Sequence, residues 1–160
     1  MPAFLKVIRT TTKPVQVKEA ASVELRRDAA AMWSFMWDPA SSVVIDETTE
    51  IGVTLPGSPH GVGEIQVFIQ RTAGGRRGVL HEVVELEPGR RAVTRSLASA
   101  VPAFGALTIE SLGPGSCRLT QEHWVDLPAG VPVALVQECR DSCQRELRKM
   151  MSRLSELALR

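Results

Sequence analysis

The chain has 160 residues, of which 44% are hydrophobic and 23% are charged, and these values are typical of one folded domain and unlike those of a disordered chain. Nineteen Lys and Arg side chains against 18 Asp and Glu leave a formal charge of +1, which gives no net attraction for nucleic acid or an anionic membrane. No segment approaches the roughly 20 apolar residues that cross a bilayer, and the first residues lack a signal-peptide pattern, so we expect a cytoplasmic protein that binds neither nucleic acid nor membranes.

The first predicted elements are a strand and a short helix. Val15–Leu25 alternates apolar and polar residues in the manner of a strand. Asp28 precedes three alanines and suits the N-cap of a helix, which Pro39 ends after Asp38. Residues 39–45 fit either a further turn of helix or an extended segment.

From residue 46 the pattern changes to short runs of strand-forming residues that are separated by Gly and Pro. Such runs predict consecutive antiparallel strands joined by short loops. With the first strand they make a sheet of about seven, the other six being ETTEIGVTL, GEIQVFIQRT, GVLHEVVEL, RAVTRSLA, FGALTIESL and SCRLTQEHWVDL. Arg76 and Arg77 then fall in the hairpin loop between the third and fourth strands.

After the turn LPAGVP the period becomes helical and continues to Arg160. Apolar residues recur at steps of three and four, with charged residues largely on the other faces, as in an amphipathic helix. The apolar stripe consists of Val136, Cys139, Cys143, Leu147, Met150, Leu154 and Leu157. Only the sheet offers enough surface to bury this stripe, so we expect the helix to lie across the sheet and to enclose space with it.

This order of elements resembles the helix-grip fold of the START and Bet v 1-like superfamily, and within it the small bacterial polyketide cyclase/dehydrase group. The motifs behind the resemblance are MWSFMWDP (32–39), PHGVGE (59–64), HEVVELEPGRR (81–91) and GPGSCRLT (113–120). The resemblance implies an α+β fold in which a curved seven-stranded antiparallel sheet wraps a long C-terminal helix, with one or two short helices after the first strand. It implies a single domain over residues 15–160, preceded by an N-terminal extension over residues 1–14.

The same resemblance implies a hydrophobic cavity between the sheet and the long helix. Members of the superfamily bind lipids and hormones, cyclise or dehydrate polyketides, or assist other proteins. A fold alone does not choose among these activities. The expected partner is therefore a hydrophobic small molecule, either a substrate or a cargo.

Motifs of nucleotide and metal chemistry are missing from the sequence. The glycine-rich stretch GSPHGVGEIQVFIQ (57–70) leads into a strand, whereas a phosphate loop leads into the N-terminus of a helix. Cys117, Cys139 and Cys143 lack the paired spacing of zinc ligands and are expected to be reduced thiols, with the latter two behaving as small hydrophobes. We therefore expect no metal and no cofactor.

Two registers are open for the third strand, and they place opposite faces in the cavity. Simple alternation of apolar residues buries Ile65, Val67 and Ile69. The resemblance instead turns inward the alternate set, which is Glu64, Gln66, Phe68 and Gln70. A shift of one residue reverses every side chain. In the second register the cavity is polar, and the three aliphatic residues form an exposed surface suited to a homodimer.

The candidate catalytic residues are those that the second register and its counterparts on other strands bring together: Glu64, His81, Glu110 and His123. A desolvated carboxylate has a raised pKa and a histidine transfers protons near neutrality, so this set suits removal of a proton beside a carbonyl group. Arg95 would stabilise the resulting enolate. Lone histidines and glutamates on strands are, however, more often structural or solvated than catalytic.

The candidate ligand-binding residues lie on the first helix, the sheet and the long helix. Trp33 fits the core of its helix as well as a ligand box. The full set is Trp33, Gln66, Phe68, Arg95, Thr108, Gln121, Cys143, Leu147 and Met150.

The sequence leaves three kinds of function open. The first is a cofactor-independent cyclase, aromatase or dehydratase-like enzyme acting on a polyketide-like or other carbonyl-rich molecule. The second is a carrier that sequesters a hydrophobic molecule or lipid without chemistry, and the third is an interaction module. An enzyme should turn ionisable groups inward, whereas a carrier should turn the aliphatic face of the third strand inward.

Overall fold

The computed structural model describes residues 8–158, which form one antiparallel sheet and three α-helices. The strand order is β1-β7-β6-β5-β4-β3-β2. The elements are β1 (Val15–Leu25), α1 (Ala29–Trp37), a 3-10 turn (Pro39–Ser41), α2 (Ser42–Ile45), β2 (Thr49–Thr54), β3 (Ile65–Thr72), β4 (Gly75–Glu87), β5 (Arg91–Ser96), β6 (Ala103–Gly113), β7 (Ser116–Leu127) and α3 (Val133–Ala158). The predicted α+β helix-grip fold is confirmed.

Two aspartates define the helical segment that follows β1. Asp28 is the N-cap of α1, and its side chain accepts a hydrogen bond of 2.9 Å from the backbone N–H of Ala30. Asp38 caps the 3-10 turn in the same way, through the N–H of Ala40 at 2.9 Å. This second cap is why residues 39–45 are helical rather than extended.

The turn between β3 and β4 is shorter than the sequence predicts. Strand β4 begins at Gly75, and Arg71 and Thr72 pair directly with Arg76 and Gly75. The prediction that Arg76 and Arg77 lie in a loop is therefore wrong. Gly75, the first residue after the turn at Ala73 and Gly74, has a φ of +120°, a backbone conformation that would strain other residues.

Helix α3 packs across the concave face of the sheet. Leu147 is buried, and Met151 and Leu154 join a core with residues of β1, β6 and β7, namely Leu25, Ile109, Cys117 and Leu119. The predicted stripe contained Met150 in place of Met151. Met150 packs against the same core as a partly buried residue, and Leu154 and Leu157 of the predicted stripe also contact it.

Polar contacts attach α3 at two places, to β1 in its first half and to α2 near its end. Glu19 of β1 accepts hydrogen bonds of 3.0 Å from both Arg140 and Gln144. Near the other end of the helix, Arg153 Nε donates to the backbone oxygen of Val44 in α2 at 3.0 Å. The helix therefore spans the sheet from its β1 edge to the short helices.

The outer face of β2 and β3 is aliphatic. Ile51 and Val53 are 49% and 46% exposed and lie opposite Ile69 and Val67 of β3. The homodimer expected through this face stays a prediction, which sedimentation over a series of concentrations would test.

Residues 1–7 of the predicted N-terminal extension, and residues 159–160 of the predicted terminal helix, lie outside the described residues. The described part of the extension pairs with the loop before α3, where the N–H of Thr11 donates to Val131 and its carbonyl accepts from Gly130, both at 2.8 Å. Between residues 8 and 158, no helix is long and apolar enough to cross a membrane.

Candidate functional site

A cavity of about 1270 Å³ lies between the concave face of the sheet, α3 and the short helices. One part of its lining, which we call the apolar wall, consists of Met36, Trp37, Ile45, Phe68, Leu107 and Met150. A second part, the polar floor, consists of Gln66, His81, Thr94, Ser96, Gln121 and His123. A cavity of this size and mixed lining suits an organic molecule with several ring or chain units and a few polar groups.

The register of β3 follows the resemblance and not the apolar alternation. Gln66, Phe68 and Gln70 line the cavity. Ile65, Val67 and Ile69 therefore face outward, since successive side chains alternate between the faces of a sheet. The inward amide of Gln70 is satisfied by Asp46 Oδ2 at 3.3 Å and Thr49 Oγ1 at 3.4 Å, so its burial leaves no unpaired donor.

The residues of the polar floor form rows, each row being a line of residues that pair across neighbouring strands. His81 lies in the middle of one row. The strand register places Gln66 of β3 on one side of it and Ser96 of β5 on the other. The ring of Phe68 leans on the imidazole, with centroids 5.5 Å apart. The imidazole therefore has an aromatic neighbour of the apolar wall on one side and polar neighbours across the strands.

The adjacent row of the polar floor contains a glycine between two polar residues. Gly105 of β6 pairs with Thr94 of β5 and with His123 of β7. An atom at the position of a β-carbon on Gly105 would lie 3.5 Å from Gln121 Nε2, 3.5 Å from Thr94 Oγ1 and 3.7 Å from His123 Cδ2. The side chains of Gln121, Thr94 and His123 therefore surround a position that no side chain of Gly105 fills.

Both floor histidines are poor bases compared with a histidine in water. Burial lowers the pKa of His81 and His123 from 6.5, because desolvation disfavours the charged imidazolium. The neighbouring His123 lowers the pKa of His81 further, since two like charges would repel. At neutral pH each ring is uncharged and has one nitrogen free to accept a proton.

Glu64 is buried but does not line the cavity. Its side chain is 3% exposed, and its Oε1 accepts a hydrogen bond of 3.2 Å from Gln66 Nε2. The exposed His60 lies on its other side, with Nδ1 3.9 Å from Oε2. The carboxylate thus sits behind the polar floor, one residue removed from the ligand space.

The structure does not bring Glu110 or Thr108 to the cavity. Glu110 is exposed on the outer face, with Arg118 Nη1 3.9 Å away, and Thr108 Oγ1 accepts from Arg91 at 2.8 Å on the same face. The predicted inward register of β6 is wrong by one residue. Leu107 and Ile109 are the inward residues, because the sheet buries this aliphatic pair and leaves the charged and hydroxyl groups with ionic partners.

Arg95 also lies outside the cavity. It forms an ion pair with Glu82 on the neighbouring strand, and both side chains are partly exposed. Thr94 and Ser96, on either side of it in β5, are the residues that line the cavity. The structure therefore offers no guanidinium from β5 to an enolate in the cavity.

The remaining predicted ligand-binding residues divide between the cavity and the core. Gln121, Cys143 and Met150 line the cavity, and burial raises the pKa of the Cys143 thiol. Leu147 is buried in the protein interior. Trp33 packs against the core and stacks on Trp37, with ring centroids 5.6 Å apart.

Sequence reasoning missed Trp37, Thr94, Ser96 and Leu107. For Thr94 and Ser96 a signal was present. Arg91 and Arg95 are four residues apart and so lie on the same, outer face of β5, which leaves the small hydroxyl residues facing inward. Trp37 has no comparable signal, since α1 is apolar on every side.

No group of three His, Cys, Asp or Glu side chains between residues 8 and 158 is placed to hold a metal ion. The floor donors are amides, hydroxyls and imidazoles on different strands. Such groups form hydrogen bonds with carbonyl and hydroxyl oxygens of an organic ligand.

No family model and no curated protein matches the sequence. Solved structures do match its fold. The Zhui aromatase/cyclase of Streptomyces sp. R1128 superposes with a TM-score of 0.73 at 17% identity, over 91% of this chain and 95% of that one.

Two further structures extend the likeness beyond the aromatase/cyclases. A norcoclaurine synthase point mutant from Thalictrum flavum, in complex with a transition-state analogue, gives a TM-score of 0.66 at 12% identity, over 91% of this chain and 96% of that one. A START superfamily protein from Mycobacterium smegmatis gives 0.65 at 15% identity, over 88% and 97%. At these identities the likeness shows the shared fold, and the activity must be argued from the site.

Proposed function

We propose that this helix-grip protein is a cyclase- or dehydratase-like enzyme that acts on a polyketide-like or other carbonyl-rich hydrophobic molecule by proton transfer and without a cofactor. The observation behind the proposal is the polar floor, where His123, Gln121 and Thr94 surround Gly105 and His81 lines the same cavity in the adjacent row. The outward orientation of the aliphatic face of β3 adds support, since a carrier with a purely apolar pocket would turn this face inward.

The first step assigned to this site is removal of a proton from a carbon next to a ketone. The free ring nitrogen of His123 accepts the proton, the electron pair of the C–H bond forms a C=C bond, and the π pair of the carbonyl group moves to its oxygen to give an enolate. Gln121 Nε2 and Thr94 Oγ1 flank Gly105, and we assign to them the hydrogen bonds that this oxygen accepts. These two donors take the role that the sequence analysis gave to Arg95.

The second step joins two parts of the same molecule. The enolate carbon attacks a second carbonyl, a C–C bond forms, and the new alkoxide takes a proton from an imidazolium. Loss of a proton and hydroxide, as water, then gives the dehydrated ring. His81, in the adjacent row, is the second proton-transfer group, and a base and an acid in one floor serve both steps.

The apolar wall contributes to catalysis by positioning the substrate against the polar floor. It holds a long or multi-ring substrate in a folded shape, and such positioning can contribute on the order of 7 to 11 kcal/mol to an intramolecular reaction. It also excludes water, which strengthens the hydrogen bonds at the enolate oxygen. Two of the fold relatives are named as enzymes, an aromatase/cyclase and a norcoclaurine synthase, which supports catalysis over simple storage.

The experiment uses 2-acetylnaphthalene, an aryl ketone whose methyl protons exchange slowly with D₂O. The wild type should accelerate this exchange, measured by NMR, because the base step alone produces it. His123→Gln should lower the rate by at least about tenfold, as expected for loss of a general base, and His81→Gln should also lower it. His60→Gln is the matched control, since His60 is 98% exposed and lies outside the cavity.

Binding is measured alongside the exchange, by quenching of tryptophan fluorescence. The carrier function is the conclusion if the ketone binds and the wild type exchanges its protons no faster than buffer does. Equal rates in the wild type and both floor variants, with binding intact, would exclude the histidines as the proton-transfer groups.

A further inference from the structure

Glu64 is a buried carboxylate that the proposed reaction does not use. A buried charge is costly unless hydrogen bonds compensate it, and the side chain that provides such a bond is Gln66, at 3.2 Å. Because Gln66 itself lines the cavity, this contact connects a group behind the polar floor with one that faces the ligand.

The chemistry of the two groups fixes the orientation of the amide. A carboxylate only accepts hydrogen bonds, so the NH₂ of Gln66 must face Glu64, and its Oε1 is directed elsewhere. The strand register places Gln66 beside His81 on the same face of the sheet. Among residues 8–158 no side chain or backbone group donates to Oε1 of Gln66 in the structure, which leaves this oxygen as an acceptor for a ligand.

We infer that Glu64 is a positioning residue that holds Gln66 as a hydrogen-bond acceptor and so selects ligands with a hydroxyl group, an enol or a phenol, next to His81. The inference rests on the proposed function, because it specifies the substrate of the same cavity. Gln121 and Thr94 hold a carbonyl oxygen at one row of the floor, and Gln66 accepts from a hydroxyl at the other. A polyketide-like chain with oxygens at alternate carbons presents both kinds of group at different points along its length.

The first test needs no ligand. In ¹⁵N-labelled wild type, one proton of the Gln66 side-chain amide should resonate downfield and exchange slowly with solvent, because it is bonded to a carboxylate. Glu64→Gln should abolish both properties, and Glu82→Gln, which removes an outer-face carboxylate bound to Arg95, should leave them unchanged. An unchanged Gln66 signal in Glu64→Gln overturns the inference.

The second test compares 2-naphthol with 2-fluoronaphthalene, which is close in shape and has no hydroxyl donor. The wild type should prefer the naphthol about fivefold to tenfold, the size of one hydrogen bond. Glu64→Gln should reduce this preference because the side-chain amide of Gln66 can then adopt the flipped orientation. In a Gln66→Leu background the preference should be lost, and Glu64→Gln should change nothing further, which a merely structural role of Glu64 would not predict.

The outcomes separate this inference from the proposed function. Equal preference in the wild type and Glu64→Gln, with both compounds bound, rejects the role of Glu64 and leaves the cavity as the ligand site. If neither compound binds to the wild type while the Gln66 amide still responds to Glu64→Gln, the orientation of the amide is supported and the proposed ligand site fails.

Discussion

His81 and His123 are the residues on which the proposed chemistry depends, and the same burial that makes them useful also makes them costly to protonate. An imidazole in water is half protonated near pH 6.5, whereas in the floor desolvation lowers the pKa of both rings below that value. A neutral ring serves as a base at neutral pH, and a protonated one would be a charge enclosed beside the apolar wall.

This cost predicts how stability depends on pH. Below about pH 6.5 the unfolded chain takes up protons on both histidines while the folded chain resists, so the free energy of unfolding should fall as the pH drops from 7 towards the lowered pKa values. Urea unfolding at a series of pH values measures this fall. A variant with both His81→Gln and His123→Gln should show a shallower fall, and His60→Gln should behave as the wild type.

The Glu122 carboxylate also contributes stability that depends on pH, but in a lower pH range than the histidines. Lys18 and Arg91 hold the pKa of Glu122 below 4.5 through hydrogen bonds, so the stability that this group contributes is present above that value and is lost as the pH falls through the lowered pKa. For the histidines, a free energy of unfolding of the wild type that stays constant between pH 7 and pH 5 would contradict their assigned burial.

Single residues show where sequence reasoning succeeds and where it stops. The inward position of Gln66 came from the resemblance, because the alternation of apolar residues alone buries the opposite face, with Ile65, Val67 and Ile69. On β6 the reverse holds, since Leu107 and Ile109 mark the inner face and Glu110 the outer one. There a preference for converging carboxylates led to a prediction that plain alternation would have corrected.

Strand β2 and the 3-10 turn pack so closely that a single glycine separates them. A β-carbon on Gly52 would lie 2.0 Å from the backbone oxygen of Pro39, a distance that no rotamer change can relieve. Gly105 on β6 is different, because a β-carbon there would meet its nearest neighbours at 3.5 Å, which is ordinary contact. One glycine is required by the packing of two elements, and the other only leaves space for a ligand.

The substitutions of Gly52 and Gly105 by alanine should therefore differ in their effects on stability and on ligand binding. Gly52→Ala should lower the free energy of unfolding by about 1 to 3 kcal/mol or more, as overpacking does, whereas Gly105→Ala should leave it nearly unchanged and weaken binding of 2-acetylnaphthalene. Urea unfolding measures the first quantity and fluorescence titration the second. Equal stabilities of the two variants would contradict the packing of the turn on β2.

Element boundaries were predictable wherever a local signal fixes them. Asp28 and Pro39 mark both ends of the α1 region, and Val15–Leu25 is the first strand in the sequence pattern and in the structure. The start of β4 was not predictable from composition, because Arg76 belongs to the strand through its pairing with Arg71 of β3. Its side chain also forms an ion pair with Glu50 of β2, a contact made across the sheet.

At the scale of the whole molecule, the function depends on a curved sheet and one helix that enclose space. The amphipathic period of α3 predicted that it would lie on the sheet, and the resemblance supplied the cavity. The chemistry inside was harder to predict, because it depends on which residues of five different strands occupy adjacent rows. That information lies in the register between strands, which a single sequence specifies only weakly.

The central claim is that a hydrophobic molecule with carbonyl groups binds in this cavity against His81 and His123. The chain has three histidines, and His60 is exposed outside the cavity, so it serves as an internal reference. In an NMR titration with 2-acetylnaphthalene, the ring signals of His81 and His123 should shift and saturate together while those of His60 stay in place. Stationary floor signals up to the solubility limit of the ketone, or a shift confined to His60, would contradict the account.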